Sequence, residues 1–383
     1  VAYILNFFSR LGYVALIRQV VFLFTPDAIH NYMVLVMRRV QQYTLYRRMS
    51  RVLYGVRQYP VLQQTFHGQL IISPIGVAAG FDKSLELRPL ISTLGVGFMT
   101  AGSLTYAAID FAKGEKMYHR LRYTRSVAVR AQLRAESVEV ALNNLKKSTG
   151  EDVEVPAIIS LAVSGVTVDW RLREAVDATK ASLELIAKTT DVLAVELHIG
   201  CVNKQGEQPF CAPEGLEELL GGLKNIAINV PLYIKLPSVE EPGDIAPILT
   251  VLMRHNDRVS GVTVANLRPL ESVMVDPRDD RPPRVDAWRI SGAPTRATST
   301  EIIRYVYKKT NGSLTIIGVG GVASAQDAYE KIRAGASLVG MFTGIIFGGP
   351  ALPAHVNRGL ALRLKKDGFQ SISEAVGADH RTS

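Results

Sequence analysis

The chain has 383 residues, 47% of them apolar and 21% charged. That is a globular composition, long enough for a large core, and it excludes a mainly disordered protein. Two cysteines, Cys201 and Cys211, exclude a disulfide scaffold and fit a reducing compartment. The net charge of +9 is uneven: residues 1–60 hold eight arginines, no lysine and one acid, Asp27, so the remainder is nearly balanced.

Residues 3–24 are apolar enough to lie in a bilayer, but Arg10 and Arg18 interrupt the run. An arginine at the bilayer centre costs about 2.5–3.5 kcal/mol on insertion scales. An in-plane or shallowly inserted helix therefore fits better than a clean span. Thr25, Pro26 and Asp27 read as the N-cap, first position and first-turn acid of a second helix near 26–42. Its apolar stripe is Met33, Val36, Met37 and Val40. Arginine among Phe, Tyr and Leu is the composition of a membrane-surface element. Without a lysine-bearing polar face, it is not read as nucleic-acid binding. The two helices are expected to form a hairpin set apart from the body, within an N-terminal unit over 1–60. A first residue of Val rather than Met fits prior removal of a targeting peptide.

Within the second unit, 61–383, eight short apolar runs follow: 75–79, 97–101, 157–162, 192–197, 232–236, 261–265, 315–319 and 337–341. Amphipathic stretches lie between most of them, at 168–190, 213–227, 243–256, 298–310 and 324–335. Buried parallel strands read as such continuous runs, and eight with crossover helices predict an α/β protein with a (β/α)8 TIM barrel. Chemistry then belongs at the C-terminal ends of the strands. Two long connections there, 102–135 and 266–297, are expected to be lids or partner surfaces.

Gly320 and Gly321 follow the seventh strand, and Thr343 and Gly344 follow the eighth. Glycines at these places let backbone N–H groups approach a phosphate, which barrels bind after strands seven and eight. The plainer alternative is a tight turn. Lys83 follows the first strand, and Lys235 ends the fifth within an apolar run. A lysine so framed needs a partner, and an anionic or electron-rich cofactor ring supplies one; the alternative is a strand-end lysine reaching solvent. Cys201 falls just past the fourth strand, a candidate proton acceptor or a small buried side chain. His198, Cys201 and Cys211 have irregular spacing and no fourth ligand, so no metal is expected.

From about residue 70 to the end, these residues resemble the dihydroorotate dehydrogenases, specifically the membrane-associated, quinone-dependent class. The matching stretches run over 73–83, 291–294 with 299–301, 317–321, 327–337 and 366–369 with Ile372; 25–30 is similar to the membrane-helix segment of that class. The resemblance implies an FMN-containing barrel that passes electrons from dihydroorotate to ubiquinone at a membrane, the mitochondrial inner membrane in mitochondrial members. It further implies FMN contacts at Ala79, Gly80, Lys83, Ser103, Ser160, Lys235, Gly292, Gly320, Gly321, Thr343 and Gly344. Lys83, Asn203 and Asn266 fall at substrate positions, Cys201 at that of the catalytic base, and Arg120 near the flavin–quinone junction.

The departures cluster in the substrate pocket. The asparagine-rich stretch that holds orotate is here 129–135, VRAQLRA, without one asparagine. His198 and Ser160 stand at two further asparagine positions, Leu267 at a threonine and Val202 at a proline. A site built to hydrogen-bond its substrate loses about 10⁴-fold in discrimination when that pairing fails. Two readings follow: a flavoenzyme with a rebuilt substrate site, or a degenerate homologue serving as an accessory subunit of a mitochondrial inner-membrane complex.

Overall fold

The computed structural model describes residues 2–111, 114–148, 155–167, 170–189, 191–201 and 207–381. Eight parallel strands close a barrel in chain order: β1 Ile75–Val77, β2 Phe98–Leu104, β3 Ala157–Ala162, β4 Val192–His198, β5 Leu232–Lys235, β6 Val259–Val264, β7 Thr315–Val319 and β8 Leu338–Met341. The last pairs with the first, Val339 opposite Ile75 and Met341 opposite Val77. All eight apolar runs are thus barrel strands, because each is buried on both faces. One face packs against the outer helices. The other fills a lower interior layer with Phe98, Ile158, Leu193, Tyr233, Ile317 and Leu338. An antiparallel hairpin, Gln64–Phe66 with Gln69–Ile71, adds Phe66 and Ile71 to that layer. Its His67 imidazole lies 2.6 Å from the Tyr233 hydroxyl.

The two long connections meet each other. Tyr118–Leu121 and Ser126–Arg130 from the first join Trp288–Gly292 and Arg268–Pro269 from the second in one four-stranded antiparallel sheet. The Asp279 carboxylate holds the turn between the first two strands, accepting from the backbone N–H of Tyr123 (2.8 Å) and Thr124 (2.7 Å). The expected lid is therefore a structured wall of the barrel mouth.

The N-terminal segment forms α1, Ala2–Val21, with a π-helical stretch at Tyr13–Ile17, and α2, Pro26–Val40. α1 is long and apolar enough to cross a membrane by length and composition. The helices do not stand apart from the body as expected; polar residues within the apolar run tie them to it. Asn6 donates to the carbonyls of Tyr54 (2.6 Å) and Ala351 (2.8 Å), Tyr13 to that of Ile346 (2.7 Å), and Arg18 to that of Phe347 (3.1 Å). Asp27 accepts from the backbone N–H of Met117 (3.0 Å) and Tyr118 (3.3 Å). The opposite face of α1 leaves Ile4, Phe7, Phe8, Leu11, Leu16 and Val20 exposed.

Candidate active site

A cleft of about 380 Å³ opens at the C-terminal end of the barrel. Its wall contains Ala79, Gly80, Lys83, Ser103, Cys201, Lys235, Asn266, Gly292, Gly320, Gly321, Thr343 and Gly344. Most of the expected site residues, separated by up to 265 positions, thus converge. Two of the described ones do not join this wall. Ser160 lies fully buried beneath it. Arg120 lies to one side, donating to the carbonyls of Phe22 (3.2 Å) and Phe24 (3.4 Å) with its guanidinium 4.0 Å from the centre of the Phe22 ring. Asn203 and Val202 fall outside the described residues.

One end of the cleft is a glycine cradle. Gly320 and Gly321 have φ of +103° and +69°. A Cβ on Gly321 would stand 2.5 Å from Arg296 Cβ, and one on Gly292 2.6 Å from the carbonyl of Arg125. Side chains are thus excluded at Gly292 and Gly321 by the backbone packed against them. The Ser291 and Thr343 hydroxyls, 2.8 Å apart, complete this end. Lys83, Arg130, Arg134, Lys235 and Arg289 also line the cleft, and none of its described wall residues is acidic. The donor set and the lack of wall carboxylates suit an anionic, phosphate-bearing ligand.

The other end holds a polar chain that begins at His198. Asn266 Oδ1 accepts from the Leu267 N–H (2.8 Å), so its Nδ2 donates to His198 Nε2 (2.6 Å). The imidazole proton then sits on Nδ1, 3.2 Å from Ser103 Oγ. Ser103 passes on to Ser160 (3.2 Å), and Ser160 donates to Glu196 Oε1 (2.7 Å), itself 3.8 Å from Lys235 Nζ. Burial, reinforced by Lys235, pushes His198 down to about 3, so the ring is neutral at physiological pH. Cys201 Sγ lies 3.5 Å from the His198 carbonyl and 3.9 Å from Nδ1. Burial, with the Cys211 thiol adding to it, pushes Cys201 up to about 12, which keeps it protonated.

Glu196 was missed by sequence reasoning, although an acid inside an apolar strand run is the same signal that singled out Lys235. At the asparagine-free stretch, Val129, Gln132, Leu133 and Arg134 line the cleft. Arg134 is 3.3 Å from Asp110, and Arg130 pairs with Glu115 while its guanidinium lies 5.5 Å from the Trp288 ring centre. Asn266 has its oxygen and one N–H spent within the protein.

Fold and cleft together define a (β/α)8 barrel with an anion cradle beside a buried polar chain, walled by an added β-sheet. The family profile of dihydroorotate dehydrogenase matches residues 61–364, and the chain belongs to that family. Among its relatives, the dihydroorotate dehydrogenase (quinone) of Synechocystis sp. is 33% identical over 325 residues, covering 84% of this chain and 83% of the relative. That of Nocardia farcinica is 30% identical, covering 96% and 97%. The Eimeria tenella enzyme, solved in complex with ferulenol, shares the fold with a TM-score of 0.74 at 21% identity, covering 93% of this chain and 96% of its own.

Proposed function

We propose that this protein is a flavin oxidoreductase of the quinone-dependent class whose substrate site has been rebuilt. FMN would lie with its phosphate against Gly292, Gly320, Gly321, Thr343 and Gly344 and its ring toward Ala79, Gly80, Lys83, Ser103 and Lys235. The observation carrying this reading is the cradle itself: glycines that admit no Cβ, beside the paired Ser291 and Thr343 hydroxyls, in a cleft whose described wall has no carboxylate. Bound there, a flavin supplies hydride acceptance from a substrate and electron release to a quinone. Lys235 places a positive charge at the ring end, which Glu196 partly offsets at 3.8 Å.

The substrate reading rests on what replaced the asparagines. An amide offers a donor and an acceptor to a planar polar ring; Val129, Ala135 and an ion-paired Arg134 do not. Dihydroorotate oxidation is therefore expected to be slow, and a related small substrate is the better fit. Arg120, beside Phe22 and between the body and α1, marks the ubiquinone side. The N-terminal unit over 1–60 provides the membrane contact. Within this proposal the membrane is the mitochondrial inner membrane, as the resemblance implies, although the Synechocystis and Nocardia relatives are bacterial.

A second reading is favoured by Cys201 and His198. Neither is a base at neutral pH, one held as a thiol and the other bonded into the chain to Glu196. On that reading the barrel is a degenerate homologue serving as an accessory subunit of a membrane complex. The deciding experiment is to purify the full chain in mild detergent, record its visible spectrum, and identify any released flavin by chromatography. Stoichiometric FMN supports the flavoprotein. A colourless protein that takes up no added FMN leaves the accessory reading.

A further inference from the structure

Between the C-terminal helix α3, Leu352–Lys366, and the start of the helix Ala325–Ala334 lies a groove of about 420 Å³ separate from the flavin cleft. Gln326, His355, Arg358, Leu362, Arg363 and Lys366 line it, with no acid among its described wall residues. A smaller neighbouring cavity shares His355 and Arg358 and adds Tyr3 and Arg57. The Arg358 guanidinium stacks 3.7 Å from the centre of the exposed Tyr3 ring, so the basic groove borders α1 at that residue.

Among the described residues, no carboxylate forms an ion pair with Arg358, Arg363 or Lys366 of this groove. Arg10 Nε, at the seam, is buried with no hydrogen-bond partner among the described residues. His355 is pushed down to about 4 by burial and by the neighbouring Arg10 and Arg358. Clustered like charges beside an apolar surface are unfavourable in isolation and favourable once an anion with an apolar tail lies across both.

We propose that this groove binds the phosphodiester headgroup of an anionic phospholipid, with the acyl chains lying along Phe7, Phe8 and Leu11 of α1. Arg358, Arg363 and Lys366 supply the charge, and α1 supplies the apolar contact. The site would fix how the protein sits on the membrane and make its attachment depend on lipid charge. It rests on reading α1 as a membrane-surface helix.

The test uses the full chain in co-sedimentation with sucrose-loaded vesicles, phosphatidylcholine alone against a 7:3 mixture with phosphatidylglycerol, at constant salt. Each basic residue near an anionic surface contributes about fivefold in partitioning. The wild type should prefer the mixed vesicles, and the double variant Arg363→Gln, Lys366→Gln should lose about 25-fold on them with little change on phosphatidylcholine. An equal charge change elsewhere, Lys308→Gln with Lys309→Gln on the exposed end of another helix, should leave the preference in place. Equal binding to both vesicles, or an undiminished preference in the groove variant, overturns the headgroup site. An equal loss in the control variant reduces the effect to net charge and also overturns it. No binding to either vesicle instead sinks the membrane reading of α1, and the flavin spectrum is independent of all these outcomes.

Discussion

Substituting alanine at Gly321 addresses the cradle without altering charge or removing a functional side chain. The residue has φ of +69°, where a non-glycine residue costs about 1–3 kcal/mol. The new Cβ would also lie 2.5 Å from Arg296 Cβ and 2.7 Å from Arg296 N, so backbone would have to move. In the free protein the loop relaxes away from that contact; binding FMN phosphate must restore it. The strain alone corresponds to about 5- to 150-fold weaker binding, and the contact places the expectation in the upper part of that range. Fluorescence quenching of FMN titrated with apoprotein gives the Kd. Gly368→Ala is the control: φ is +82°, nothing lies within 4 Å of its Cβ, and it is remote from the cleft. It should lower Tm while leaving the FMN Kd unchanged. Equal Kd values for Gly321→Ala and wild type would refute the cradle argument.

Other expectations concern the remaining groups. Cys201 can accept the substrate's proton only where its thiol has ionised, so any substrate-driven flavin reduction that uses it should rise with pH and be lost in Cys201→Ala while flavin stays bound; unchanged stopped-flow kinetics would remove the thiol from the chemistry. Glu196→Gln leaves an acceptor for Ser160 but deletes a negative charge near Lys235, so the potential of bound flavin should rise by about 20–60 mV, the equivalent of about 1–3 kcal/mol at intermediate dielectric. A fall on spectroelectrochemical titration would contradict that placement. Lys331, fully buried among Ser299, Thr300 and the Arg296 carbonyl, is brought down to about 7 by burial. The unfolded chain keeps that proton up to a pH of about 10.5, so between those values the unfolded state binds more protons and stability rises with pH. The Tm of wild type relative to Lys331→Met should therefore increase from pH 7 to pH 9; a constant difference would show that burial does not shift this lysine.

The barrel was legible because each strand is covered on both faces and reads as an unbroken apolar run, and glycines after strands seven and eight carried position as well as type. The added sheet was not legible. Tyr118–Leu121, Ser126–Arg130 and Trp288–Gly292 lie in segments whose pairing is between two distant connections, and their half-buried faces give no continuous run. Docking of the N-terminal helices was missed for a related reason. Asn6 and Tyr13 read as minor polar interruptions, and only the fold places the carbonyls of Ala351 and Ile346 beneath them. The substituted asparagines were visible one by one. That His198 would turn to Asn266 and begin a chain to Glu196 required the register in which His198 pairs with Lys235 and Glu196 lies opposite Ser160.

The central claim is that a flavin cradle has outlasted the pocket that gripped orotate. Anaerobic stopped-flow mixing of the FMN-loaded protein with dihydroorotate, followed by a quinone pulse, tests it most directly. The account predicts retained flavin absorbance, bleaching with dihydroorotate slower than in an asparagine-bearing relative by about 10⁴-fold, and prompt reoxidation by quinone after chemical reduction. Rapid bleaching by dihydroorotate would contradict it.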